Sequence, residues 1–174
     1  MNESGSPLYR CHVCGRSHDD VPMSFAADFP DMYANMKVDE RDARATIGSD
    51  QCIIDQEWFF IRGCLEIPVI GSDEPFLWGL WASVREPVFD EISDCWELQG
   101  RENLYGPFKG RLGNSLKVYP ETLNLRLKIL IQHVGTRPLF MVEDAEHPLA
   151  IEQKSGIMLA AAIELASLLF HQER

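Results

Sequence analysis

Two cysteines near the N-terminus, Cys11 and Cys14, have the residue type and spacing of metal ligands. Two thiolates separated by two residues can bind one zinc ion, and the turn after the second favours glycine, here Gly15, which adopts positive φ without strain. His18 extends the pattern to Cys-x2-Cys-x3-His and supplies a third candidate ligand. We therefore expect a structural zinc ion at this loop. Reduced thiols without metal are the alternative.

The fourth ligand of such a site has to come from elsewhere in the chain, because the sequence contains no second Cys-x-x-Cys. Cys64 and Cys52 are the candidates. If residues 55–56 form a two-residue hairpin turn, Cys52 lies on an apolar face and Cys64 on the more accessible face with Arg62 and Glu66. A turn of odd length would reverse that assignment.

Three residues are candidates for catalysis: Arg62, Glu66 and His147. Arg62 and Glu66 belong to a polar cluster on one predicted strand, where an ordinary ion pair is the alternative reading. His147 follows several carboxylates, which would raise its pKa and suit a general base, although a loop histidine satisfied by a neighbour is also expected in such a segment. No phosphate-binding loop, nucleophile elbow or paired-aspartate motif accompanies them. The sequence therefore does not define a catalytic residue.

Composition narrows the class of protein. The 174 residues are 45% hydrophobic, which is typical of a folded domain, and the formal net charge of −11 argues against a free-standing nucleic-acid binder. The N-terminus lacks a basic and apolar signal segment, and the longest apolar stretch, residues 157–170, is too short to span a membrane. Five cysteines at uneven spacing do not indicate a disulfide framework. We expect a cytoplasmic protein that binds neither nucleic acid nor membranes.

Hydrophobic patterns predict the elements that would position these residues. We predict one or two short helices in residues 31–45, a hairpin over 51–70, a central strand at 76–84, a helix from Pro87 to about residue 98, strands at 123–131 and 136–142, and a helix over 157–171. This order indicates an α+β fold with a mainly antiparallel sheet, a C-terminal covering helix and an irregular N-terminal Cys-x-x-Cys loop. We divide the chain into an N-terminal appendage with a zinc knuckle, residues 1–30, and one domain, residues 31–174.

The C-terminal helix is apolar around most of its circumference, and Glu164, Ser167 and His171 mark a narrow polar stripe. A second copy of the chain or another partner could cover its outer side. A helix packed deeply into its own core explains the pattern equally.

Several motifs in a fixed order resemble one bacterial family, domain of unknown function 2199. They occupy residues 11–18 (CHVCGRSH), 22–25 (PMSF), 49–55 (SDQCIID), 59–63 (FFIRG), 66–69 (EIPV), 76–83 (FLWGLWAS), 119–123 (YPETL), 137–138 (RP) and 147–157 (HPLAIEQKSGI). The resemblance implies one intact bacterial domain and names no reaction. It suggests a set of residues for testing first: Cys11, Cys14, Cys52, Arg62, Trp78, His147 and Gln153.

Two classes of function follow. The first is a non-enzymatic domain whose acidic charge favours a basic partner, including an immunity-type protein that binds a basic toxin. The second is a metal-dependent, hydrolase-like enzyme in which Cys11, Cys14 and one further ligand leave a coordination position for water. The number of protein ligands around the ion would distinguish them.

Overall fold

A computed structural model describes residues 9–10, 15, 17–18 and 22–170. The chain combines helices with a mixed sheet, which confirms the α+β class. The strands are β1 (Tyr9–Arg10), β2 (Ser17–His18), β3 (Ser24–Ala26), β4 (Ala45–Ile47), β5 (Gln51–Ile54), β6 (Trp58–Ile67), β7 (Val69–Ile70), β8 (Phe76–Val84), β9 (Phe108–Leu112), β10 (Arg126–Leu130), β11 (Leu139–Val142) and β12 (Ile157–Met158). The helices are α1 (Asp31–Ala34), α2 (Val38–Arg44), α3 (Glu86–Asp94), α4 (Arg101–Leu104), α5 (Pro148–Ser155) and α6 (Leu159–Phe170).

Five strands close into a small barrel. The order β8-β9-β10-β11-β6 returns to β8, because β6 and β8 pair antiparallel from Phe59–Val84 to Ile67–Phe76. Most strand pairs are antiparallel, as predicted, but β11 runs parallel to β6 and β3 parallel to β8. The sheet is therefore mixed, and the sequence pattern did not reveal its closure. Residues 24–26, which we placed in the N-terminal appendage, form a strand of this sheet.

The main core fills the barrel interior. It contains the side chains of Ile61, Leu65, Trp78 and Phe140, each at most 3% exposed. Gly63 faces the same interior, and a Cβ atom there would lie 2.3 Å from the Phe140 ring. A glycine is required at this point because the aromatic ring occupies the space that any other side chain would need.

The β5–β6 hairpin has a different register from the one we predicted. Ile54 pairs with Trp58 rather than Glu57, so three residues connect the strands. Asp55 and Gln56 both have positive φ, 53° and 54°, which is an uncommon conformation for residues with a Cβ atom. The odd-length connection places Cys52 opposite Phe60 and on the same face as Cys64. The prediction that these two cysteines lie on opposite faces is wrong.

A second, smaller core covers the outside of the barrel here. Cys52, Ile54, Phe60 and Trp81 pack together under the segment that carries α1, α2 and β4. This outer layer explains why Cys52 is buried although it does not face the barrel interior. It also confirms that β8 is a central strand with apolar residues on both faces.

Several element boundaries differ from the predictions. The strand predicted at 136–142, β11, begins only at Leu139, and two other boundaries differ as follows. The helix containing Pro87, α3, ends at Asp94 and not near residue 98. Among the last predicted strands, β10 begins only at Arg126, because Asn124 has a φ of 67°, which is incompatible with extended backbone. The helix α5, which follows His147, was not predicted.

The C-terminal helix is confirmed from Leu159 to Phe170, but Ile157–Met158, which we predicted as its start, form the strand β12. The predicted polar stripe of the helix is not continuous. Ser167 is 3% exposed and donates a hydrogen bond to the Ile163 carbonyl, whereas Glu164 is exposed. His171 lies outside the described residues. The helix packs through Ala162 and Ala166 and exposes Leu168. None of the described helices is both long and apolar enough to cross a bilayer.

Candidate functional site

Arg62, Cys64 and Glu66 lie on the outer face of the barrel. They alternate along β6 with residues that face the interior, and Cys64 is paired with Leu139 of the neighbouring strand β11. Paired residues share a face, so Leu139 and Met141 continue the outer surface from β6 onto β11. The structure thus places three of the predicted residues on one surface.

Arg62 holds loops against the barrel. Its Nη2 donates a hydrogen bond to the Ala27 carbonyl at 2.9 Å, and the guanidinium lies over the Trp81 ring at 5.6 Å from the ring centroid. The indole nitrogen of Trp81 also donates to the Ala27 carbonyl, at 3.2 Å. These contacts fix the segment after β3 onto β8 and indicate a positioning role for Arg62.

Asp50 and Arg137 form an ion pair beside this cluster. Arg137 Nε lies 2.6 Å from Asp50 Oδ1, and Ser49 donates to the other carboxylate oxygen. Partial burial raises the pKa of Asp50, but the hydrogen bonds from Ser49 and Arg137 and the positive charges of Arg137 and Arg62 outweigh that effect and hold the pKa below its usual value. Asp50 therefore remains ionised and connects two loops that are distant in sequence.

The two thiols considered as additional zinc ligands differ in accessibility. Cys52 is 0% exposed, and burial raises its pKa to about 11. Cys64 is half-buried; burial also raises its pKa, while the positive charges of Arg137 and Arg62 act in the opposite direction. Because zinc binds the thiolate, Cys64 is the better candidate of the two.

A groove beside Glu66 continues the outer surface beyond Cys64. It has a volume of about 350 Å³, and we call it the acidic groove. Its lining consists of Glu66, Pro68, Val69, Ser72, Asp73, Glu74, Pro75, Leu139, Met141 and Gln153. Three carboxylates thus surround an aliphatic floor. Neither Arg62 nor His147 lines the acidic groove, so the three catalytic candidates do not converge there.

Gln153 fixes the wall of the acidic groove. Its amide nitrogen donates to the Phe140 carbonyl at 2.7 Å, and its amide oxygen accepts from the backbone N–H of Val142 at 2.9 Å. These backbone groups would otherwise be unpaired where β11 separates from β6. Gln153 therefore substitutes for a missing strand and attaches α5 to the barrel.

His147 caps the start of α5. Its Nδ1 accepts a hydrogen bond from the backbone N–H of Leu149 at 3.2 Å, and Pro148 occupies the first helical turn. The carboxylate of Asp144 is engaged with Arg126, with which it makes a 2.7 Å ion pair. Only Nδ1 is satisfied in this way, because Nε2 is buried without a hydrogen-bond partner among the described residues. The contact of Nδ1 supports a helix-capping role for His147.

Sequence reasoning missed a second groove, at the other end of β6. It has a volume of about 480 Å³, and we call it the basic groove. Its lining consists of Glu57, Trp58, Ser83, Val84, Arg85, Lys109, Gly110, Arg111, Arg126 and Glu143. The sequence does contain a pattern that could have indicated this groove: two pairs of basic residues at alternate positions, Lys109 with Arg111 and Arg126 with Lys128. Alternate residues of a strand share one face, so each pair would lie on one surface.

The Cys-x-x-Cys pair lies outside the described residues. The surrounding structure is a short antiparallel ladder in which Tyr9 pairs with His18 and Arg10 with Ser17. Gly15, between these strands, has a φ of 69°, which confirms the expected left-handed turn residue. Among the described residues, no three histidine, cysteine or acidic side chains are grouped closely enough to hold a metal ion.

Comparison with known proteins identifies a family. Residues 10–157 match a family described as an uncharacterized protein conserved in bacteria (DUF2199). No curated protein and no solved structure matches the chain.

Proposed function

The chain belongs to this bacterial family of uncharacterised proteins, DUF2199, and we propose that it is a non-enzymatic binding domain that holds a basic segment of a partner protein in the acidic groove. The observation that carries the proposal is the combination of three carboxylates, Glu66, Asp73 and Glu74, with an aliphatic floor. Lysine and arginine side chains have a matching form, since an apolar stem carries a charged end.

The surface next to the acidic groove supports the same conclusion. Ile70, which follows the groove residue Val69, is 52% exposed, and Met158 is 60% exposed. The two residues are paired on the parallel strands β7 and β12, so they form one apolar patch. An apolar patch beside charged groups is a common feature of protein interfaces.

The overall charge also favours a basic partner. A net charge of −11 attracts cationic molecules over distances of about a Debye length and accelerates their association. A basic toxin, for which this domain would serve as an immunity-type protein, has the required chemistry.

The proposal is tested with a peptide of eight residues that alternates lysine with leucine. We expect it to bind, and we expect the double variant Glu66→Gln, Glu74→Gln to weaken binding at least fivefold at low salt. The matched control is Glu91→Gln, Glu97→Gln, which removes two exposed carboxylates of the α3 region. Equal weakening by both double variants would show attraction to net charge alone and would contradict binding in the acidic groove.

We also propose that Cys11 and Cys14 bind a structural zinc ion, with His18 and Cys64 as the further candidate ligands. The support is the Cys-x-x-Cys-Gly spacing in the sequence between β1 and β2 and the positive φ of Gly15. Metal analysis of the untagged protein should find one zinc ion per chain. Cys11→Ser should abolish zinc binding, while Cys95→Ser, which alters a buried thiol on α3's C-terminal side, should retain it. Absence of zinc from the wild-type protein would contradict the assignment.

A further inference from the structure

Positive charge is concentrated in the basic groove although the chain as a whole is strongly acidic. Four cationic side chains, from Arg85, Lys109, Arg111 and Arg126, face two carboxylates there, whereas the whole chain has a net charge of −11. The basic groove therefore has a charge of the opposite sign to the rest of the molecule.

Strand register places like charges directly opposite each other along this surface. Arg111 is paired with Arg126, and Lys109 with Lys128, on the neighbouring strands β9 and β10. Directly opposed like charges destabilise a sheet. One cation of each pair has a carboxylate partner, since Lys109 lies 3.5 Å from Glu143 and Arg126 lies 2.7 Å from Asp144. A bound anion would offset the positive charge that remains on Arg111.

Two guanidinium groups in the basic groove are available to a ligand. Arg85 forms no ion pair within the described part of the chain, and Arg111 donates one hydrogen bond, to the Asn124 carbonyl at 3.1 Å. By contrast, Arg126 is paired with Asp144 at 2.7 Å. Guanidinium groups bind phosphate oxygens through two parallel hydrogen bonds, so Arg85 and Arg111 suit a phosphate.

An aromatic surface lies on the wall of the same groove. The Trp58 side chain is 43% exposed, which is unusual for the largest apolar side chain. Trp58 and Arg111 share the outer face of the barrel, because Phe60, two residues after Trp58, stands in one row with Ser83 and Arg111 across β6, β8 and β9. A flat ring bound against the indole would thus have its charged substituent near the guanidinium groups.

We propose that the basic groove binds a nucleoside phosphate, with the base against Trp58 and the phosphate held by Arg85 and Arg111. The volume of about 480 Å³ fits a ligand of this size. A nucleic-acid polymer fits less well, because the acidic surface around the groove repels its remaining phosphates. The inference is independent of the partner assigned to the acidic groove.

The test is calorimetric titration of the full chain at low salt with AMP, GMP, CMP and UMP. We expect at least one of them to bind, and we expect the corresponding nucleoside and inorganic phosphate each to bind at least tenfold more weakly. Arg85→Gln with Arg111→Gln should weaken binding at least tenfold. The matched control, Lys117→Gln with Lys154→Gln, removes two exposed positive charges elsewhere and should change the affinity less than twofold.

Two further measurements separate the roles of ring and charge. Trp58→Ala should weaken binding at least fivefold, and Trp58→Phe should retain most of the affinity because it keeps a ring. The proposal is overturned if none of the four nucleotides binds, if inorganic phosphate binds as tightly as the nucleotide, or if both charge variants weaken binding equally. Tighter binding of a ten-residue oligoadenylate than of AMP would likewise overturn it in favour of a single-stranded nucleic acid. Glu66→Gln with Glu74→Gln should leave nucleotide binding unchanged.

Discussion

The Nε atom of Arg137 donates a 2.6 Å hydrogen bond to Oδ1 of Asp50, a residue 87 positions earlier in the chain. This bond joins the β4–β5 connection to the segment before β11, on the side of the barrel that carries Arg62 and Cys64. It therefore holds together the outer surface that ends at the acidic groove.

Removing this ion pair should lower stability in a pH-dependent way. The folded-state pKa of Asp50 lies below the unfolded value of about 3.9, so the pair stabilises the fold above that pH and loses its contribution as pH falls through the folded pKa. We expect Asp50→Asn to lower the free energy of unfolding by about 1 kcal/mol at pH 7, since both side chains are only partly buried. The difference in free energy of unfolding between Asp50→Asn and wild type, measured by denaturant titration, should become smaller below about pH 4. Asp90→Asn, at an exposed position on α3, is the control, and a gap that is constant with pH would contradict the assignment.

Arg101 should be essential to the fold. It is 2% exposed, its guanidinium donates to the carbonyls of Trp96, Gln132, His133 and Thr136, and it lies over the Trp96 ring. Arg101→Met leaves these partly buried carbonyls without their donor and should cost roughly 3 kcal/mol of unfolding free energy. Arg101→Lys should not restore stability, because one ammonium group cannot reach all four carbonyls. Thermal and urea unfolding would measure the stability of both Arg101 variants. The control is Arg85→Met, at an exposed position, whose stability should stay near that of the wild-type protein.

Gly63→Ala should disrupt the barrel wall. The new methyl group would lie 2.3 Å from the Phe140 ring, and overpacking of this kind costs about 2 kcal/mol or more. Adding Phe140→Leu should recover part of the loss, which a double-mutant cycle would detect. Gly48→Ala is the matched control, because its nearest atom would be 3.9 Å away. Equal destabilisation by both alanine variants would show that the contact with Phe140 is not the cause.

Gln56→Gly should stabilise the β5–β6 hairpin. Gln56 has a φ of 54°, and glycine adopts this conformation without the penalty of about 1 kcal/mol that a Cβ atom incurs. We expect the midpoint of urea unfolding to rise with an unchanged m-value. Gln56→Ala keeps the Cβ atom and should give no increase, so a similar gain from alanine would exclude backbone strain as the reason.

Local patterns predicted the elements that local physics controls. The strand at 76–84, the helix start at Pro87 and the C-terminal helix all depend on residues close together in sequence, and the structure confirms them. The hairpin register depended on whether two or three residues connect the strands, and the alternation of apolar and polar residues could not decide between these lengths. Cys52 was expected to be buried and is buried, but under the outer α1–α2 layer rather than in the barrel.

The candidate sites show the same division. Sequence identified Glu66 and Arg62, but it could not show that Glu66 lines a groove with Asp73 and Glu74 while Arg62 is committed to the Ala27 carbonyl. The basic groove was overlooked because its cations come from two strands, β9 and β10, and from Arg85 in the β8–α3 connection, which are separated along the chain. Like charges become neighbours there only through pairing in the sheet.

The sequence by itself determined the α+β class, the order of most elements, the family and the acidic charge, because these follow from composition, periodicity and short motifs. Only the tertiary structure decided that β6 meets both β8 and β11 and so closes a barrel. The physical reason is that closure depends on backbone hydrogen bonds between distant strands. Backbone N–H and C=O groups are the same in nearly every residue, so the sequence does not indicate which strands will pair. The two grooves result from that closure.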